Sequence, residues 1–246
     1  MKINVSKTKF VNFSIVNTFK FHSHLVYHSH NCLRLRCDCE VIEQSSNMKY
    51  LGVNLDQNLN WEYHISILHK KLKSCLRIFY HLRNFCDTQL MRILYFFIDS
   101  RLQYGIHCWG GTFRSYIQKL RISQNHLVRI ILQKNKYDSS FPLFCELKVL
   151  PVQNLFIYKV LKLFYIRSGD TGTNNLFYTT RSNNQRIFRL PKVNKSIFTR
   201  SYQYIGPKLF NLLPFDVKCS QNLNIFLKKL KIWLFTSEAP YLVGFQ

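Results

Sequence analysis

The chain has 246 residues, 35 Lys and Arg against 12 Asp and Glu, and a formal net charge of +23. With 47% hydrophobic and 15% aromatic residues it carries enough apolar side chain for a core, which excludes a disordered basic tail. So few acids cannot pair internally with so many cations, so the excess is expected to face solvent or an anionic partner.

The opening stretch MKINVSKTKF has lysines at 2, 7 and 9 and no apolar run, so it does not read as a secretory signal. Segment 1–57 reads as short strands and turns. Phe10, Val11, Phe13, Ile15 and Val16 are β-prone, and Leu33, Leu35, Cys37 and Cys39 alternate with Arg34, Arg36 and Asp38. His22, His24, His28 and His30 share a face if 21–31 is a strand, with Cys32, Cys37 and Cys39 following closely, which raises a zinc site. The cysteines lack CxxC pairing and the histidines precede them. Exposed His and half-buried Cys is the reading taken here, and no metal ligand is assigned. Lys49–Leu55 is another short strand, ending at Asp56-Gln57-Asn58.

From Asn60, an expected N-cap, the period changes. Trp61, Ile65, Leu68, Leu72, Cys75, Phe79 and Leu82 alternate four-residue and three-residue spacings, the stripe of an amphipathic helix read as bundle core. His69, Lys70, Lys73, Arg77 and Arg83 lie off it. Asp87 or Thr88 caps a second helix carrying Leu90, Leu94, Phe97, Ile98 and Leu102, broken by Gly105 and Gly110-Gly111. Its most apolar stretch, Leu90–Ile98, is too short for a membrane span of about 20 residues and is interrupted by Arg92. Trp109 is read as a core residue at a turn in preference to a base-stacking one. A third helix from about Arg114 uses Ile117, Leu120, Leu127, Ile130 and Ile131. A fourth opens at Pro151 with Val152, Leu155, Val160, Leu163 and Phe164. Short links between such helices favour a bundle.

Residues 168–184 read as a linker, followed by a basic run with Arg181, Arg186, Arg189, Lys192, Lys195, Arg200 and Lys208. Phe188, Phe198, Tyr202 and Tyr204 are interleaved with it. Either the cations meet phosphates while the rings stack on unpaired bases, or a solvated basic face covers rings in a local core. A last helix spans Leu223–Phe235. The eight cysteines read as reduced intracellular thiols, and Cys75, Cys86, Cys108, Cys145 and Cys219 as packing residues.

Five segments carry a family resemblance: NVSKTKFVNF (4–13), KYLGVNLDQNLNWEYHI (49–65), SRLQYGIHCWGGT (100–112), LRISQNHLVRII (120–131) and YIGPKLFNLLP (204–214). In content, order and spacing the chain resembles the C-terminal part of non-LTR, jockey-like retrotransposon reverse transcriptases, which are RNA-directed DNA polymerases. The resemblance implies an α+β, α-rich fold. Residues 1–57 would be a palm remnant with hairpins, 58–167 a helical thumb-like bundle and 168–246 a basic C-terminal region.

It further implies roles for matching residues. Asn4, Lys7 and Thr8 match the element after the catalytic aspartates, whose lysine can act in that family as a general acid toward pyrophosphate; without those aspartates Lys7 reads here as a solvated loop lysine. Tyr50, Leu51 and Gly52 match the hairpin that grips the primer end. Lys70, Lys73 and Arg77, with the basic C-terminal residues, would hold RNA, DNA or their hybrid. The carboxylates that hold Mg²⁺ should precede Met1, and none of the seven aspartates forms such a pair. The expectation is a chain with no cofactor of its own, partnered by nucleic acid and by the rest of the polymerase. It would be unable to extend a primer alone, would not be membrane-bound, and would lie in nucleus and cytoplasm. A host-adopted, non-enzymatic nucleic-acid-binding protein and a decayed remnant are the alternatives.

Overall fold

The computed structural model describes residues 4, 7–13, 25–26, 41–170, 187–194 and 197–236. The chain is helix-rich with a few short strands, an α+β architecture, and divides into two compact units, Met1–Ile67 and Leu68–Gln246.

In the first unit, β3 (Val41–Gln44) lies between β1 (Lys9–Phe10), to which it is parallel, and β2 (Leu25–Val26), to which it is antiparallel. Lys9 sits opposite Glu43, and their side chains pair at 2.8 Å. Both are exposed, so the pair contributes little stability. The alternating residues 33–39, most of the β-prone run from Phe13, and the His/Cys segment 22–39 apart from the backbone of Leu25 and Val26 lie outside the described residues.

The expected single strand at 49–55 is instead a hairpin of β4 (Asn47–Tyr50) and β5 (Val53–Asp56). Its two-residue turn puts Leu51 at φ 44° and Gly52 at φ 82°. Two positive φ values make this the turn type whose twist matches paired strands, and it normally carries Asn-Gly. Leucine at the first position is strained, because a Cβ crowds the backbone in left-handed geometry. Leu51→Asn is therefore expected to steady the hairpin by about 1 kcal/mol. Hydrogen exchange at the Tyr50 and Val53 amides should slow about fivefold. Faster exchange would mean that Leu51 is not strained.

Beyond β5, both carboxylate oxygens of Asp56 are occupied: Oδ2 accepts from the Asn60 amide (2.9 Å) and Oδ1 from the Trp61 amide (2.8 Å). This clamp holds Leu59 and Trp61 at positive φ and delays the helix. Helix α1 spans Glu62–Leu82, and Trp61, not Asn60, accepts its first bond, from Ile65. The Asn54 amide donates to Nδ1 of buried His64, tying the first turn of α1 back to β5 (3.3 Å).

From Leu68 onward α1 belongs to the second unit, with Leu72 and Phe79 buried as the stripe requires. Asp87 caps α2 (Thr88–Gln103) by accepting from the Leu90 amide at 2.9 Å. The buried face of α2 differs from the expected one: Met91, Tyr95, Ile98 and Leu102 are inside, whereas Leu90 and Phe97 are exposed. The helix is apolar on two sides, so spacing could not choose between them. Tyr95 decides, because its hydroxyl accepts from buried Gln124.

Helices α3 (Ile106–Trp109), α4 (Arg114–Ile131) and α5 (Ser140–Leu147) lead to α6 (Val152–Asp170). The last of these packs against α3, α4, α7 (Tyr202–Asn211) and α9 (Leu223–Thr236); α8 is the short Phe215–Lys218. Buried residues surround the axis of α6, including Val152, Phe156, Ile157, Val160 and Leu161, as expected of a central helix. Its Asn154 donates to the Leu234 carbonyl at 2.8 Å, satisfying an end group of α9. Among the described residues no single helix is long and apolar enough to cross a membrane, although the bent pair Ser140–Leu147 and Val152–Ser168 reaches that length and composition together.

Asp99 on α2 is buried, and one of its oxygens accepts from Gln103 at 2.6 Å. Burial pushes its carboxyl above the ordinary value, against the opposing pull of that hydrogen bond and of Lys159 and Lys231. The folded chain thus binds this proton more tightly than the unfolded chain. Stability contributed here is present below the unfolded carboxyl pKa near 4 and is lost as pH rises through the folded value. Asp99→Asn should flatten the stability–pH curve above pH 4 and raise the neutral-pH denaturation midpoint. An unchanged curve would contradict a penalised carboxylate.

Candidate nucleic-acid interface

In the first unit, the hairpin turn displays Tyr50 (58% exposed) and Leu51 (73%) at its tip, with Lys49 exposed beside them. Asn4 and Lys7 are exposed too, and Asn4 organises their turn: its carbonyl accepts from the Lys7 amide (3.2 Å) and the Thr8 hydroxyl (2.8 Å).

In the second unit, Lys70, Lys73 and Arg77 are exposed and spaced to share one face of α1, away from the buried Leu68, Leu72 and Phe79. They span about 10 Å along the axis, the axial length of about three nucleotides of one strand. Sequence reading missed two additions to this face. Lys119 on α4 comes close enough, with Lys73, to depress the His69 pKa further after the larger effect of burial. Tyr80, exposed, carries the Arg83 guanidinium 4.7 Å above its ring. Tyr80 was findable from its i, i+3 spacing to Arg83, which the stripe already left outside; Lys119 was not, because it comes from another helix.

The C-terminal cations divide. Arg189 and Lys192 are exposed in a segment without regular secondary structure, pinned where Asn211 pairs with both backbone groups of Phe188 at 2.8 Å. Arg200 is half-buried with its guanidinium 3.8 Å from the Phe113 ring, which gives it a packing role. Lys208 is half-buried on α7. Arg181, Arg186 and Lys195 lie outside the described residues. Of the interleaved rings, Phe188 is buried, in edge contact with Phe164 (4.8 Å) and Phe210 (5.1 Å), so it packs in a core and does not meet a base; Phe198, Tyr202 and Tyr204 are half-buried. Arg167 stands 5.2 Å over the Tyr202 ring.

Trp109 is fully buried and donates to the Tyr104 carbonyl at 3.0 Å, a core tryptophan as expected. Cys108 and Cys219 are exposed, against the expectation that they pack; α3 and α8 are single turns with little surface to bury. Burial of its sulfur still pushes the Cys108 thiol up, away from a nucleophilic thiolate.

Among the described residues no three His, Cys, Asp or Glu side chains converge. Asp56 and Asp87 serve backbone amides, Asp138 accepts from the Asn135 amide (2.8 Å) and Asp99 is interior. These residues do not fit a pair of Mg²⁺ ions, and no chemical step is assigned to them.

No family model, curated protein or solved structure matches the chain. The resemblance to reverse transcriptases is that of five sequence segments alone.

Proposed function

We propose that the chain is the nucleic-acid-holding part of a non-LTR retrotransposon RNA-directed DNA polymerase, gripping primer and RNA–DNA hybrid and performing no chemistry itself. The observation that carries this reading is the Tyr50–Val53 hairpin. An exposed leucine occupies a strained turn position where Asn would be comfortable, and strain retained at an exposed tip is a mark of function. It falls on the residues that resemble a primer grip. Glycine beside it lets a sugar–phosphate backbone approach closely. The cations of α1 and of the C-terminal segment supply the phosphate contacts that a hybrid requires.

Leu51→Asn, expected above to steady the turn, should at the same time weaken binding of a primed RNA–DNA hybrid severalfold. Equal or tighter binding would remove the hairpin from the account. Neutralising the helix face (Lys70→Gln, Lys73→Gln and Arg77→Gln together) should make the plot of log affinity against log salt shallower by about 2 to 3, near 0.9 for each lost phosphate contact. An unchanged slope would mean that α1 does not touch the nucleic acid. Primer extension with Mg²⁺ should yield no product from this chain alone.

A further inference from the structure

We propose that the cleft where the end of α6 meets the start of α7 takes one unpaired nucleotide of a nucleic-acid strand, its base on an aromatic wall and its phosphate at a cationic rim. The inference rests on the nucleic-acid reading above and adds a contact specific for single strands.

The cleft encloses about 540 Å³, within the range that holds a ligand of nucleotide size. Its floor is rigid: Phe164 and Phe188 meet edge to face at 4.8 Å, and both close on Phe210, at 5.6 and 5.1 Å. Phe198 and Tyr202, half-buried, form the part of the wall within reach of a ligand. Arg167 over Tyr202 adds a guanidinium plane, which accepts a stacked base as an aromatic ring does. Arg189 and Lys192 stand at the rim on the segment that Asn211 pins, and Gln203 offers an exposed amide able to pair with a base edge. Among the described residues that line it, none is acidic. Cations over an apolar floor select an anion with a flat apolar body. A base within a duplex cannot enter, because both its faces are already stacked; an unpaired base can.

The test compares three probes on the full chain: a blunt RNA–DNA hybrid, the same hybrid with a four-nucleotide single-stranded extension carrying a fluorescent base, and phosphatidylserine vesicles. The extension should tighten binding about tenfold and change the emission of the reporter base. Phe198→Ala and, separately, Lys192→Gln should abolish that gain, bringing the extended-to-blunt affinity ratio of each variant to about one, with each variant's own blunt-hybrid affinity as its reference. Lys192 is exposed in a segment without regular secondary structure, so its variant reads the cleft even where Phe198→Ala fails to fold.

If the blunt hybrid binds and the extension adds nothing, the cleft proposal falls and the broader function stands. If the blunt hybrid fails but the extended one binds, with loss in Lys192→Gln, the cleft stands and hybrid holding falls. Vesicle binding that Lys192→Gln abolishes, with no response to the extension, would assign the cleft to a lipid headgroup and overturn the proposal. Binding of no probe overturns both.

Discussion

Gly110→Ala is expected to cost about 3 kcal/mol, at the upper end for an overpacked interior. A Cβ at this position would overlap Cδ2 of Phe156 and stand 2.6 Å from the Ile106 carbonyl oxygen. Neither obstacle yields easily. Phe156 is buried on the central helix, and the Ile106 oxygen belongs to backbone already accepting from the Gly110 amide at 2.7 Å. The adjacent Gly111 is similarly confined, with the Arg200 carbonyl 2.9 Å from where its Cβ would lie. The Gly110-Gly111 pair thus serves close approach of α6 and of the 3-10 turn Phe198–Arg200 to the end of α3. Urea unfolding should show a large fall in midpoint. A change below about 0.5 kcal/mol would mean that α6 does not lie where the structure puts it.

Gln124→Leu should cost a comparable 3 to 5 kcal/mol, although the substitution nearly preserves volume. The Gln124 amide is fully buried and makes three bonds. Its Nε2 donates to the Tyr95 hydroxyl (2.8 Å) and the Leu150 carbonyl (3.2 Å), and its Oε1 accepts from the Val152 amide (2.8 Å). One side chain on α4 therefore secures α2, the α5–α6 link and the first turn of α6. Leucine strands three polar groups in the interior, each at about 1 to 3 kcal/mol, with partial relief where water enters. Tyr95→Phe removes a single hydroxyl and should cost about 1 kcal/mol. Combining the two should cost less than their sum, because Gln124→Leu has already orphaned that hydroxyl. Strict additivity would contradict the bond.

How much of this was legible depended on whether a residue's partner lies near it in sequence. The α1 stripe was readable because four-and-three spacing is local, and Asp87 was readable as a cap because its target, the Leu90 amide, is three residues away. The buried face of α2 was not, since its choice depends on Gln124 in another helix. Helix α7 went unread because Gly206-Pro207 looks like a break. Pro207 is nevertheless buried within the helix, and Gly206 lets it close on Phe164, whose Cδ2 would lie 2.8 Å from an added Cβ. Helix α5 was hidden by Pro142, tolerated in its first turn, where amides lack helical partners anyway. Of the candidate interface, the α1 cations could be read from spacing. For Arg200, nothing near it in sequence announces Phe113 beneath it. The pairing of Arg167 with Tyr202 likewise needed the fold.

The proposed function requires that this chain hold RNA–DNA hybrid through its phosphates. Its affinity for such a hybrid, measured from 50 to 200 mM salt, tests that claim most directly. A linear log–log decline of at least about a hundredfold is expected across that range. No binding at the low-salt end, or an affinity flat across the series, would contradict it.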